Sequence, residues 1–491
     1  MAMLRSAILL FVTLLLCAHV LHAQERPNVI YILADDLGYG DLGCYGQKTL
    51  ATPHIDRLAA EGMKFTRHYS GSTVCAPSRC VLMTGLHTGH CRVRGNGPGF
   101  IPDTDPTLPK MLKEAGYATA CIGKFGLGKP LPLDDPKGKG FDYFFGYVGT
   151  SHAHNFYPEA LVRNGRIVPL PNATIPGSGK DVADYRDSVL TGTGVATPEG
   201  RKQWAPQLLS DDVQRYLAER GKDKEKPFFL YYALNIPHTN NEARKDSPLG
   251  HGMESPDYGE FAKKAWPDAE KGFAQFMRFL DNEVGAILAT LKAQGMDENT
   301  IVMFASDNGP HQEGGHVSDF FNSNGSFRGI KRDLTDGGIR VPFLVRWPAQ
   351  VKGGSVSDHV SGFQDMVPTL AAASGAKLTA ETDGISLLPT LTGKAAEQKQ
   401  HDYLYWNFDE QGGKRAVLQW PWKLIHLNTG AVRANPKANA KKPAGEVKAL
   451  QVELYNLEAD PGEDKNVAGE NAAKVEALEK LIQGAWREPG A

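Results

Sequence analysis

The sequence predicts an α/β protein: a large, mixed, mostly parallel sheet flanked by helices, followed by a smaller C-terminal antiparallel sheet with a helix. Two observations carry this. Short continuous apolar runs at 29–33, 117–122, 228–234 and 301–305 are spaced by segments of helical periodicity, and strands apolar on both faces are those buried between helix layers. From about Gly384 the texture changes to short strands divided by Gly, Pro and Asp.

The run 29–33 leads straight into Asp35 and Asp36. Thr52-Pro53 reads as N-cap and first residue of a helix with Ile55, Leu58 and Ala59 on one face and Gly62 at its end. A second helix covers 108–115, stopped by Gly116. The strand at 117–122 then delivers Gly123-Lys124. Residues 130–226, rich in Pro, Gly and Asp, read as a long insertion of loops and short elements around the entrance to a site. The strand at 228–234 leads to His238. A long core-facing helix at 266–294 is stopped by Gly295. The strand 301–305 delivers Asp307 and Asn308, and 339–345 reads as a fifth strand. In the C-terminal part, strands are expected at 403–407, 415–418, 422–426 and 453–457, and a helix at 472–486. Residues 433–448 read as a solvated loop.

Residues 1–23 hold one basic residue, Arg5, an apolar stretch at 7–17 and a small residue, Ala23, before polar Gln24. That is the pattern of a secretory signal peptide, shorter than the roughly 20 residues of a spanning helix. Bulky Leu16 argues against a lipid anchor on Cys17. The expected protein is therefore exported, periplasmic or secreted, with no transmembrane segment after cleavage. The domains are expected at 24–383, catalytic, and 384–491, an α+β subdomain. With 54 basic and 56 acidic residues there is no basic excess, and no nucleic-acid partner is expected. The expected mature chain keeps Cys44, Cys75, Cys80, Cys91 and Cys121, an odd number. If Cys75 is modified, the other four allow three disulfide pairings or remain free thiols.

Asp35 and Asp36, Lys124, His238, and Asp307 with Asn308 all follow the C-terminal ends of expected buried strands. Ligands of open α/β sheets bind along that edge, so these groups can converge although the sequence scatters them. Three carboxylates and one amide oxygen form a hard-oxygen set suited to Ca²⁺ or Mg²⁺ and unsuited to zinc. Between them lies Cys75-Ala-Pro77-Ser78-Arg79-Cys80-Val81-Leu82-Met83-Thr84-Gly85. Pro77 suits the first turn of a helix, which puts Cys75 beside a helix N-terminus. There the free N–H groups would hold an oxyanion and depress a thiol's pKa.

This segment resembles the signature of the type I sulfatases of the alkaline phosphatase superfamily, Cys-x-Pro-Ser-Arg-x-x-Leu-x-Thr-Gly, and matches every fixed position. The resemblance implies an alkaline phosphatase-like fold and hydrolysis of sulfate esters, those of sulfated carbohydrate above all. It implies oxidation of Cys75 by a formylglycine-generating maturation enzyme, the aldehyde hydrate then attacking sulfur. It implies Ca²⁺ on Asp35, Asp36, Asp307 and Asn308 with residue 75 or the sulfate as a fifth partner. Arg79, Lys124 and Lys331, the last in Arg328-Gly-Ile-Lys331, match the family's cationic clamp, and His238 the acid that protonates the leaving oxygen.

Many sulfatases have Gly-Lys-Trp-His-Leu-Gly, whose histidine helps release sulfate from residue 75, whereas this chain has Gly123-Lys-Phe-Gly126-Leu-Gly128. His311 is the candidate replacement base. His152, His154 and Asn155, in the insertion, are candidates to contact the sugar. The loose pairs His152/His154 and His311/His316 lack a third ligand at zinc spacing. A phosphoester or phosphonate hydrolase of the same superfamily would fit the same clamp, and a catalytically silent sulfated-glycan binding protein is the other alternative.

Overall fold

The computed structural model describes residues 26–96, 99–128, 134–175, 195–241, 247–430 and 449–488. The expected signal peptide and the expected loop at 433–448 lie outside them. Ten strands form one sheet: β1 (Asn28–Asp35), β2 (Met63–Phe65), β4 (Ala118–Lys124), β5 (Tyr143–Tyr147), β6 (Ala160–Arg163), β7 (Arg166–Pro169), β8 (Phe228–Pro237), β9 (Thr300–Ser306), β10 (Phe343–Arg346) and β11 (Ser355–Ser357). Their order is β11-β2-β10-β9-β1-β8-β4-β5-β6-β7. A short pair joins β3 (His68–Tyr69) to β12 (Ser361–Gly362), and a separate antiparallel sheet holds β13 (Leu404–Phe408), β14 (Lys414–Gln419), β15 (Trp422–Leu427) and β16 (Gln451–Asn456). The middle five strands of the large sheet, β9-β1-β8-β4-β5, are mutually parallel, so the ends of β1, β4, β8 and β9 share one edge.

Helices cover both faces, as the run of apolar residues in β1 requires. Ile30, Ile32 and Ala34 face a core built with α1 (Pro53–Glu61), α4 (Ala205–Arg220) and α5 (Asp268–Ala293). Val29, Tyr31 and Leu33 face the opposite core, with α2 (Cys75–Thr84), α3 (Leu108–Glu114) and α7 (Met366–Ser374). Leu387 and Leu391 belong to that second core, with Leu391 closing the short α8 (Leu388–Leu391), and the separate sheet begins only at Leu404. The C-terminal α9 (Ala472–Gly484) packs Leu478 and Ile482 against β13 to β16. Among the described residues no helix is long and apolar enough to cross a membrane.

Two expectations are corrected. The fifth strand does not start at 339: Asp336–Ile339 is a short helix, α6, closed by Arg340 N–H on Asp336 O at 2.7 Å, and the strand begins after Pro342, which lacks the N–H a ladder needs. That strand, β10, is antiparallel to β9. The insertion is also more regular than loops. It contains the hairpin β6/β7, turned by Asn164 and Gly165 in left-handed conformation (φ +49° and +77°), and the 16-residue α4. Both signals stand in the sequence: Asn-Gly between apolar runs, and Ala205, Leu209, Val213 and Leu217 at helical spacing behind Pro206.

The small sheet is tied to the large domain by polar contacts as well as packing. Trp406 Nε1 donates to Ser70 O at 2.9 Å, and Lys423, fully buried, pairs with Asp336 at 2.7 Å and Glu463 at 2.8 Å. Removing the lysine would leave two carboxylates buried together. Lys423→Ala should therefore lower the unfolding free energy by about 3–5 kcal/mol, read from the urea midpoint. An unchanged midpoint would show that the seam does not depend on this cation.

Candidate active site

β1 ends in a bulge: its register with β8 slips between Leu33 and Asp35, and Asp36 follows with φ +66°. Both carboxylates are thereby fully buried at the sheet edge. Asp35 accepts from Lys124 Nζ at 2.7 Å and lies 3.4 Å from Arg79 Nη2. Asp36 accepts from Asn308 Nδ2 at 2.7 Å and from Lys331 Nζ at 2.8 Å, while its own N–H donates to Asp307 Oδ1 at 3.1 Å. Arg79 donates to Asp307 Oδ2 from Nε (3.0 Å) and Nη2 (2.7 Å), and from Nη1 to Lys124 O at 2.7 Å. The strand ends meet as the sheet-edge argument expects. Gly123 is obligatory beside them: at φ +112° a Cβ would stand 1.9 Å from Ala233 O.

The Cys75 segment forms α2, and its residues divide the labour. Ser78 Oγ accepts from Gly71 N at 3.1 Å, Val81 and Leu82 enter the core, and Gly85 closes the helix in left-handed conformation. Ala76 N–H, one of the unpaired donors of the first turn, is capped by Asn96 Oδ1 at 3.1 Å. The expected depression of the thiol pKa is overturned. Burial pushes Cys75 well up and the Asp35 carboxylate adds to it, outweighing Lys124 and Lys331. As a plain thiol, residue 75 would stay protonated.

Donor atoms of Asp35, Asp36, Cys75 and His238 lie within 4.8 Å of one another. Asp35 Oδ1 and Asn308 Oδ1 are buried without hydrogen-bond partners, and burial with the neighbouring Asp35 pushes Asp307 up to about 7. Orphaned hard oxygens in an acid-rich pocket fit a divalent cation.

His238 Nδ1 donates to Thr239 O at 2.6 Å, which leaves Nε2 facing Lys331 Nζ at 3.0 Å and Asp36 Oδ2 at 3.3 Å. Burial and Lys331 hold it well below the usual histidine range. The ring of His154 stacks on it, with centroids 4.3 Å apart. The other two candidate sugar contacts lie deeper: His152 packs edge-on to Tyr147, and Asn155, fully buried, holds Tyr157 N at 2.9 Å. His311 uses both ring nitrogens on backbone, Nε2 toward Pro237 O at 3.1 Å and Nδ1 toward Glu313 N at 3.2 Å, and burial pushes it down to about 4. His316 is bound to Glu270 at 2.7 Å. All five described cysteines are free thiols. Sequence reasoning missed Asn96, for which no motif exists, and Glu313, which follows His311 by two residues and accepts from Lys331 at 3.1 Å.

The sulfatase family model matches residues 27–376, and a second, N-sulphoglucosamine sulphohydrolase C-terminal, matches 327–433. The chain belongs to the sulfatase family. Among curated relatives, human arylsulfatase A is 31% identical, covering 96% of this chain and 89% of that protein. An N-acetylgalactosamine-6-O-sulfatase of Bacteroides thetaiotaomicron is 31% identical over 94% and 93%. A Bacteroides thetaiotaomicron structure described under the metabolism of multiple glycosaminoglycans superposes with TM-score 0.71 at 27% identity, covering 94% of this chain and 99% of that one. The phosphonate monoester hydrolase of Agrobacterium radiobacter shares the fold at TM-score 0.60 and 19% identity, covering 94% and 95%. This sulfatase is a sulfuric ester hydrolase of type I, and its fold is alkaline phosphatase-like.

The sulfatase departs from the pattern at Gly126 for a visible reason. Its φ is +73°, and a Cβ there would touch Arg79 Cδ at 3.3 Å and Thr150 Oγ1 at 3.6 Å. A histidine would meet strain from that left-handed backbone, while its Cβ would need only a small shift of Arg79.

Two outcomes follow from these environments. A divalent cation at about a hundredfold its dissociation constant should stabilise the protein by about 2.7 kcal/mol, and Asn308→Leu should shrink that increment in thermal melts. His152 is pushed down to about 4 by burial, so it stays neutral where an unfolded histidine protonates. Its contribution is complete above about pH 6.5 and is lost as pH falls toward 4. The stability gap between wild type and His152→Gln should narrow by about 2 kcal/mol from pH 7 to 5, read by urea titration at each pH.

Proposed function

We propose that this sulfatase is exported after loss of residues 1–23 and releases sulfate from sulfated carbohydrate, with Cys75 converted to formylglycine. Residues 24–383 would form the catalytic domain and 384–491 the C-terminal subdomain. The observation that carries this reading is the meeting of Cys75 with Asp35, Asp36 and His238 at the N-terminus of α2, inside a ring of buried cations. The raised thiol pKa supports it too, because an unmodified Cys75 would make a poor nucleophile. Carbohydrate is supported by the relative named N-acetylgalactosamine-6-O-sulfatase, and by a structure 25% identical to this chain described in complex with a neocarrahexaose.

Asp35, Asp36, Asp307 and Asn308 would hold calcium, which when bound neutralises sulfate oxygens and favours deprotonation of a hydroxyl on residue 75. Arg79, Lys124 and Lys331 are fixed by carboxylates on the cavity floor, so they meet the charge that develops on the equatorial oxygens without reorganising. His238 presents Nε2 to the cavity. Protonated on Nε2 as the anionic substrate enters, it would pass that proton to the departing alkoxide, while Lys331, held by Asp36, stays charged. His154, stacked on His238, keeps the ring plane and would contact the sugar beside it.

Peptide mass mapping should find residue 75 as formylglycine in protein made with a maturation enzyme, and sulfate should be released from a sulfated glycan panel in preference to phosphate from matched monoesters. Cys75→Ala should abolish turnover, and Lys331→Ala should lower kcat by about 10²–10³. Converted protein that binds glycans yet releases no sulfate would refute the carbohydrate reading, and preferred phosphate release would favour a phosphoester hydrolase.

A further inference from the structure

At the mouth of the site Glu313 stands between two cations. Its Oε2 lies 3.1 Å from Lys331 Nζ and its Oε1 2.7 Å from Arg332 Nη1, and Asn241 Nδ2 donates to Oε2 at 3.1 Å. The Lys331 side chain is 2% exposed, Glu313 21% and Arg332 29%, so this chain of charges climbs from the catalytic floor to solvent. Lys331 and Arg332 lie in a turn in which Arg332 is left-handed, at φ +79°, pinned by its N–H on Thr73 O at 3.0 Å, and both side chains reach Glu313. A long side chain pays strain in that conformation, and strain of this kind persists where the surroundings fix a position.

Exposure points the same way. Asp35, Asp36, Asp307 and Glu313 are answered one for one by Arg79, Lys124, Lys331 and Arg332. Of these four cations Arg332 is the one with substantial exposure, so it is the one an arriving group can reach without displacing the floor.

We propose that Arg332 recognises a second anionic group, a carboxylate or a further sulfate, carried by the substrate beside the scissile sulfate ester. Glu313 takes one edge of the guanidinium and aims it, and the remaining donors of its five N–H groups serve the incoming anion. The substrate class is thus a polyanionic saccharide rather than a singly sulfated neutral one. This rests on the sulfated-carbohydrate reading above.

The test measures binding in full-length, calcium-loaded Cys75→Ala protein, which cannot turn over. The probes are a monosulfated neutral oligosaccharide, its disulfated form, and the monosulfated form bearing a uronate. Arg332→Asn is the main variant because asparagine tolerates the left-handed backbone, with Arg332→Lys beside it. Arg332→Asn should lower the affinity for the dianionic probes relative to the monosulfated one by about five- to tenfold, and Arg332→Lys should restore part of the ratio. The disulfated and uronate arms show which anion is read. An unchanged ratio, whether all three probes weaken equally or none does, overturns the assignment. Sulfate release from the same probes by the Cys75-bearing enzyme tests the underlying reading separately: its absence refutes carbohydrate hydrolysis, while Arg332 stands or falls on the binding ratio.

Discussion

Two aspartates and their cations, sealed at the dry end of the sheet, constrain everything around them. Asp35 is out of water, and an isolated buried carboxylate would cost several kcal/mol. It is tolerable because Lys124 and Arg79 arrive from β4 and α2. Arg79 in turn needs Asp307 from β9, and Asp36 needs Asn308 and Lys331. No strand can be displaced without orphaning a charge on another. The register of the parallel sheet and the geometry of the site are therefore one problem with one solution, and the bulge and left-handed Asp36 are the local distortion that lets both acids face the same cavity.

The same acids decide what residue 75 can be. A helix N-terminus alone would favour a thiolate, but the neighbouring carboxylates and complete burial reverse the balance. The environment disfavours a free sulfur anion. Burial holds His238 and His311 below the usual histidine range against the pull of the same acids, helped at His238 by the Lys331 ammonium, and both ring nitrogens of His311 face backbone.

Much of this was legible in the sequence where a local rule had no competitor. The four buried strands, the long helix stopped by Gly295 and the strands of the small sheet follow from continuous apolar runs and breakers. The polar groups at their ends could be placed because parallel strands share an edge. What escaped were features decided at a distance. The end of the strand expected at 339–345 was settled by Pro342 and by Arg340 folding back on Asp336. The elevated thiol pKa came from complete burial, with Asp35, forty residues away in the chain, adding to it. His152 and Asn155, read as sugar contacts from their place in the loop-rich insertion, are buried, His152 edge-on to Tyr147 and Asn155 accepting from Tyr157 N, partners that the sequence does not announce. The α4 helix and the Asn164-Gly165 turn were present as patterns and were obscured only by the Pro and Gly around them.

Lys423 gives the small C-terminal sheet a meaning beyond support. Its partner Asp336 lies five residues after Lys331, on the segment that also places Arg332, and the region matched by the second family model begins at Phe327, inside the first. The sheet is thus the socket into which the Lys331 loop is plugged. A boundary drawn by texture near residue 384 therefore divides the strands but not the contacts: a chain cut there would leave Asp336, and the loop it steadies, without its buried cation.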